Sequence, residues 1–380
     1  MKKNLPLLIA VCFSMAGFAQ QTVTWDYDGT TRKYREYVPS NYDGSTAVPL
    51  VIALHGLGDN INNFSGVGFQ VVADTAGFIT VYPEALVDAL TSSTAWNSGA
   101  GIAGFSLNAN VDDVGFINAL IDTVSTHYNI DQSRVYATGF SMGGFMSNRL
   151  ACELNDRIAS IASVAGTVGG TLTCTPGTEI PVCHFHGTAD TQVGYGTPDG
   201  DQDNSFGSNV SDWISFWSAN NGCGNVVLEG QFPNTANDGY TVDYVEYGGC
   251  TNSNRVVHYK VNGADHTWLP DNQNGSDIFY VVEIWKFFLG LSPNNLSGVG
   301  IKDQEIGQIG IYPNPTSDNL RLENIDSKIL NVSVFNATGQ LVLESSITNN
   351  TVEVSSLRQG IYQLMVATED GLYTNTFIKE

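Results

Sequence analysis

Positive charge is scarce in this sequence. Only 16 of its 380 residues are Lys or Arg, against 38 Asp and Glu, which leaves a net charge of -22. A chain this acidic repels phosphate backbones and anionic lipid, so nucleic acid is excluded as a partner. No two cysteines are spaced as CxxC, which removes the usual pattern of a zinc site, and no metal is expected. The only strongly apolar stretch near the start, within "MKKNLPLLIAVCFSMAGFAQ", is shorter than the ~20 residues a membrane span needs, so no stable membrane insertion is expected. Its basic start, apolar centre and small residues Gly17 and Ala19 have instead the layout of a cleaved secretory signal over residues 1–19. Cys12 lies inside the apolar part rather than after a cleavage pattern, which argues against a lipoprotein.

What is present is globular. Hydrophobic residues make up 42% of the chain and charged ones 14%, enough for a generous core in more than one domain. Cysteines 152, 174, 183, 223 and 250 remain after the signal, and an exported protein would pair four of them. Cys183 sits in the apolar segment "IPVCHF", which reads as a buried strand, so it is the expected spare. Cys152–Cys174 and Cys223–Cys250 are then the expected bridges, although spacing alone does not fix connectivity.

"TVTWDYDG" and "KYREYVPSNYDG" alternate and end in turn residues, the pattern of an opening hairpin. "VPLVIALHG", "FITVYPE", "RVYATGF", "IASIASVAG", "PVCHFHG" and "RVVHYKVNG" are near-continuous apolar runs, as strands buried on both faces are. Between them "DDVGFINALIDTVSTHY", "SMGGFMSNRLACEL", "NVSDWISFWSAN" and "SDIFYVVEIWKFFLG" carry helical spacing. Strands alternating with helices predict an α/β fold, a mostly parallel sheet covered on both faces, over residues 20–291. Residues 292–305 read as a linker, and 306–380 as short alternating strands forming a small all-β sandwich. That last segment has no cysteine, histidine or tryptophan, so no chemistry is expected of it.

In "RVYATGFSMGGFM" a strand runs into Ser141, ringed by glycines, and then into a helix. This is the context of a nucleophile elbow rather than of a mere glycine turn. A hydrolytic serine needs a base, and the base an orienting acid, at the ends of later strands. Asp190 closes "VCHFHGTAD" just beyond a strand, and His266 lies in the loop "NGADHTW" beyond another. His258 falls inside its strand and reads as structural, Asp265 as loop solvation, and His55 and His186 as turn-bracing residues. The oxyanion needs preorganised donors. Met142 supplies one amide, and Leu57, with Gly58 as the close alternative in "LHGLGDN", the other. Trp96 and Trp268, in loops near the expected site, are read either as core or as a stacking wall for an aromatic or sugar substrate.

"LHGLGDN", "DDVGFINALID", "RVYATGFSMGGFMSNRLAC", "HFHGTADTQVGY", "NGC" and "GADHTW" resemble the secreted polyhydroxybutyrate depolymerase and feruloyl or acetylxylan esterase group of the α/β-hydrolase superfamily. The resemblance covers Thr22 to Leu291. It implies Ser141 as nucleophile, Asp190 as acid, His266 as base and a bridge to the "NGC" cysteine, with Cys183 a departure from the group's usual aliphatic residue. "IGIYPNPTSDNLRL", "NVSVFNATGQLVLES" and "LRQGIYQLMVATEDG" are similar to the C-terminal sorting domain of the type IX (Por) secretion system of Bacteroidetes. That implies passage through the periplasm to the cell surface or medium, with the type IX machinery as partner. The expected activity is cofactor-free hydrolysis of a polysaccharide-linked ester or a polyester. A serine peptidase and a silent adhesin or carbohydrate-binding protein are the competing readings.

Overall fold

A computed structural model describes residues 20–102, 105–236, 238–269, 276–297, 307–323, 329–336, 341–345, 350–368 and 371–380. The signal expected over 1–19 and residues 298–305 of the expected linker lie outside them.

The chain opens with the hairpin β1 (Gln21–Tyr27) and β2 (Thr30–Tyr37), followed by β3 (Val48–Leu54). Next come α1 (Ile61–Phe64), α2 (Phe69–Ala76), β4 (Ile79–Pro83) and a two-residue pair β5 (Gly101–Ile102) and β6 (Phe105–Ser106). Helix α3 (Asp113–His127), β7 (Ile130–Phe140), α4 (Met142–Glu153), β8 (Ser160–Val164) and β9 (Val182–Gly187) form the middle. Helix α5 (Val210–Asn221), β10 (Asn225–Gln231), β11 (Thr241–Gly248), β12 (Val256–Asn262) and α6 (Tyr280–Phe288) complete this part. Ten strands join one sheet in the order β1-β2-β4-β3-β7-β8-β9-β12-β11-β10. The run from β4 through β12 is parallel, and both margins are antiparallel.

Because side chains alternate along a strand, each central strand supplies two cores. Leu50, Ile52 and Leu54 of β3 face Phe116 and Leu120 of α3, Met146 and Leu150 of α4 and Trp213 of α5. Val51 and Ala53 face the opposite layer, with Phe69 of α2 and Ile284 and Trp285 of α6. This double burial is why the central strands read as unbroken apolar runs. Helix α3 starts where Asp112 caps the Gly115 amide, and α5 stops at left-handed Gly222. Helix α6 begins later than the sequence pattern suggests, because Phe279 is still extended.

Cys152 is bonded to Cys174 and Cys223 to Cys250, while Cys183 is free and buried. Two points of the segment expected as linker are tied to the sheet, Ser292 by its hydroxyl to Glu246 and Ser297 by a backbone bridge. The Arg255 guanidinium donates to the carbonyls of Phe287 and Leu291, both at 3.0 Å, and Ser297 exchanges backbone hydrogen bonds with Gln231 on the outermost strand.

The C-terminal part is all-β: β13 (Gly307–Gln308), β14 (Gly310–Tyr312), β15 (Asn319–Glu323), β16 (Ile329–Asn336), β17 (Leu341–Ser345), β18 (Thr351–Glu353), β19 (Gly360–Thr368) and β20 (Gly371–Lys379). A five-stranded sheet, β13-β20-β19-β16-β17, and a three-stranded one, β14-β15-β18, share a core of Leu320, Val334, Val352, Leu364 and Phe377. Two sheets closing on one apolar core make a sandwich. Among the described residues no helix is long and apolar enough to cross a membrane.

Candidate active site

Ser141 occupies the turn between β7 and α4 with φ 54° and ψ -118°. A residue with a Cβ holds such a backbone only when its surroundings enforce it. Here the Ser141 amide donates to the Val164 carbonyl on β8 at 2.8 Å, and its own carbonyl accepts from Phe145 at 3.1 Å. The flanking glycines let three backbones meet. A Cβ on Gly139 would lie 2.4 Å from the Gly143 backbone, and one on Gly143 would lie 2.0 Å from the Leu54 carbonyl oxygen. The glycines of "GFSMGG" are therefore packing requirements that set the serine at the end of β7.

Asp190 follows β9 and is fully buried. Its Oδ1 accepts from the amides of Gln192 at 2.9 Å and Val193 at 2.8 Å, and its Oδ2 lies 2.7 Å from His266 Nδ1. Burial pushes this carboxyl up, but the hydrogen bonds it accepts from His186 and His266 outweigh it, so the group lies well below the usual carboxylate range. It is an anion throughout the neutral range. His266, in the loop after β12, packs at a tilt against Phe140, the residue that precedes Ser141, with ring centroids 4.7 Å apart. His258 points elsewhere, with Nε2 2.8 Å from the Tyr195 hydroxyl and Nδ1 3.1 Å from the His184 carbonyl. Asp265 turns away from the His266 ring to accept from the Thr191 and His266 amides.

Met142 is the first residue of α4, where an amide has no intrahelical acceptor. The second donor is narrowed by a hydrogen bond. Gly58 spends its amide on the Thr94 carbonyl at 2.9 Å, which leaves the Leu57 amide as the candidate on this loop. His55 braces this loop, accepting from the Ala85 amide at 3.1 Å.

Of the two readings of Trp96, the structure takes the core one and not the stacking wall. The residue is fully buried, its indole donates to the His55 carbonyl at 2.9 Å and its amide meets Met142 Sδ, so it stiffens the site from behind and presents no face to a ligand. Trp268 is half-buried, edge-on to Phe64, Phe140 and Tyr280, and stays beside His266. The residue that sequence reasoning undervalued is His186, whose Nε2 lies 3.2 Å from Asp190 Oδ2. The signal was in "HFHG": His184 and His186 alternate on β9 and so share a face. Among the described residues no group of three or more His, Cys, Asp or Glu is poised to hold a metal.

An elbow serine after β7, a buried aspartate after β9 and a histidine bonded to it after β12, all parallel strands of one sheet, define the class of this chain as an α/β-hydrolase. Residues 41–198 match the family described as Phospholipase/Carboxylesterase, and residues 310–380 the Secretion system C-terminal sorting domain. The chain is 30% identical over 281 residues to feruloyl esterase D of Neurospora crassa, covering 70% of this chain and 85% of that one. It thus belongs to the feruloyl and acetylxylan esterase family of carboxylic ester hydrolases, and carries a sorting tail that marks it for secretion or the cell surface. A bifunctional acetylxylan esterase/xylanase of Neocallimastix patriciarum is 28% identical over 260 residues, which are 68% of this chain and 34% of that protein, so the chain spans about a third of that relative. Acetyl xylan esterase from Aspergillus awamori aligns with a TM-score of 0.47 and 17% identity over 70% of this chain and 100% of that one.

Proposed function

We propose that the protein is an exported serine esterase that works through an acyl-enzyme. His266 takes the Ser141 proton as the serine attacks an ester carbonyl, and Asp190 holds the imidazole and stabilises its charge. The Leu57 and Met142 amides receive the developing oxyanion. His266 then protonates the leaving alcohol, and a water activated by the same ring releases the acid. This chemistry needs no cofactor. The observation that carries the reading is the 2.7 Å contact between His266 Nδ1 and a fully buried Asp190, with the His266 ring packed on Phe140, the neighbour of a serine held at positive φ.

For substrate, the reading is a feruloyl or acetyl ester of plant polysaccharide, with a polyhydroxyalkanoate polyester as the second class. What supports an aromatic acyl group is the half-buried Trp268, two residues beyond the base in the same loop and packed edge-on to Phe140. The mature chain is taken to begin after residue 19, with the catalytic part ahead of the sandwich that engages the type IX machinery.

Ser141→Ala is expected to lower ester turnover by about 10⁴-fold or more while leaving the thermal melt in place. Near-normal hydrolysis of p-nitrophenyl acetate by that variant would end the proposal. Product analysis on feruloylated arabinoxylan, acetylxylan and polyhydroxybutyrate side by side assigns the acyl group. Matched ester and anilide substrates separate an esterase from a serine peptidase, and labelling by a fluorophosphonate separates both from a silent binding protein.

A further inference from the structure

Behind the acid of the site runs a line of buried imidazoles that ester hydrolysis as written above does not use. His184 and His186 on β9 and His258 on β12 are each at most 2% exposed. Ser163 Oγ lies 2.8 Å from His184 Nδ1, His184 Nε2 lies 3.0 Å from His186 Nδ1, and His186 Nε2 lies 2.8 Å from the Val193 carbonyl and 3.2 Å from Asp190 Oδ2.

With His186 neutral, one placement of the protons satisfies these contacts, the Ser163 hydroxyl favouring His184 Nδ1 at 2.8 Å over the Cys183 carbonyl at 3.4 Å. His186 Nε2 faces two oxygens that can only accept, so it carries a hydrogen. The lone pair of the neutral ring is then on Nδ1, which must receive a hydrogen from His184 Nε2. His184 Nδ1 is left as an acceptor, and the Ser163 hydroxyl fills it. Every ring nitrogen is satisfied with both imidazoles neutral, and the hydrogen bonds all point toward Asp190. Burial, with the neighbouring imidazoles of His186 and His258, pushes His184 well below the ordinary histidine range, in keeping with a neutral ring.

We propose that His186 is a positioning residue of the hydrolytic machinery: it is the second imidazole donor to the Asp190 carboxylate, held in its donating tautomer by Ser163 through His184. The inference rests on the Ser141–His266–Asp190 reading. With His266 and His186 on Oδ2 and two amides on Oδ1, the carboxylate cannot rotate without breaking a bond. His266 and His186 share the one oxygen Oδ2. Loss of the His186 donor concentrates the carboxylate charge on His266, so the base stays protonated to higher pH and the acid limb of the rate profile moves up. The other titratable groups facing the pair are Asp265 on the His266 loop, Tyr195 after Asp190, His184 on β9, and His258 and Lys260 on β12. Of these, His184 bonds directly to His186 and His258 feels its ring, so the Gln variant is the control for changes at those two histidines.

The test is kcat/KM for p-nitrophenyl acetate against pH, with thermal melts, on the full chain and on His186→Leu, His186→Gln and Asp190→Asn. His186→Leu is expected to lose about tenfold or more, with its acid limb raised by about half a unit. His186→Gln, which retains an N–H at similar reach, is expected to recover most of the rate and the position of the limb. A folded His186→Leu with the wild-type limb, or Leu and Gln variants equally slow with the limb unmoved, reduces His186 to packing and overturns the proposal. Should the Leu variant fail to fold, ¹⁵N-histidine NMR of the wild type decides. His184 and His186 in the Nε2–H tautomer are expected, and an Nδ1–H or cationic His186 overturns the proposal. Asp190→Asn keeps the two readings apart: near-normal activity there sinks the triad itself, whereas its collapse beside unaffected His186 variants sinks only this inference.

Discussion

Alanine at Gly143 sets helix propensity against packing. Gly143 is the second residue of α4, where alanine is favoured by about 1 kcal/mol on propensity alone. The added Cβ, however, would sit 2.0 Å from the Leu54 oxygen, 2.5 Å from the Leu54 carbon and 2.8 Å from the His55 oxygen. These are backbone atoms at the end of a central strand, so no side chain can swing aside and α4 must lift by well over 1 Å. Overpacking of this kind costs about 1–3 kcal/mol and occasionally more, which exceeds the propensity gain. On a domain of this size each kcal/mol lowers the melting temperature by about 2–4 °C. The same lift carries Ser141 and the Met142 amide away from the Leu57 loop, and a displacement near 1 Å costs about 10²-fold in rate. Differential scanning calorimetry and p-nitrophenyl acetate kinetics measure the two effects. Gly224→Ala is the control, since a Cβ there meets nothing within 4 Å. A Gly143→Ala protein with wild-type melting and wild-type kcat would falsify the backbone-contact account of the motif.

Other consequences are as direct. Arg32→Ala leaves Asp113, fully buried and 2.7 Å from the guanidinium, without its counter-charge. A loss of about 3–5 kcal/mol is expected in urea unfolding, and a loss under about 1 kcal/mol contradicts it. His258 is pushed down to about 3 by burial, and His184 well below its ordinary value, whereas the unfolded chain titrates near ~6.5. The unfolded state therefore binds the extra protons. Stability is full above about pH 6.5 and falls by about 1.4 kcal/mol per unit per histidine on acidification toward the folded value. Urea midpoints that stay flat between about pH 6 and pH 4 refute this. Trp268→Ala is expected to depress kcat/KM for methyl ferulate by about tenfold while changing p-nitrophenyl acetate less; equal losses on both remove the stacking role.

The elbow was legible because it is local: strand, serine and helix are contiguous, and the glycines that let β3, β7 and α4 touch are visible as letters. Asp190 and His266 were legible for a related reason, since each follows an apolar strand in the order the mechanism requires. Strands β10 and β11 were not read, because they lie in the antiparallel margin, where Glu229, Asp243 and Glu246 break up the apolar runs. Trp96 shows the limit in the other direction. Nothing in "TAWNSG" tells that Met142 and the His55 carbonyl close over it, for that contact joins segments more than 40 residues apart. His186 was read as a brace, since its distance to Asp190 depends on how the loop after β9 folds back.

The pairing of Ser297 with Gln231 bears on how this enzyme can be trimmed. Strand β10 ends the sheet, and a bare outer strand offers unpaired amides and carbonyls to any neighbouring chain. Residues 292–297 cover part of that margin, with Ser292 donating to Glu246 at 2.6 Å and Leu296 lying against Gly230. A catalytic fragment cut at Leu291 would lose this selvage and invite edge-to-edge clumping, whereas one carried past Ser297 keeps its border hemmed.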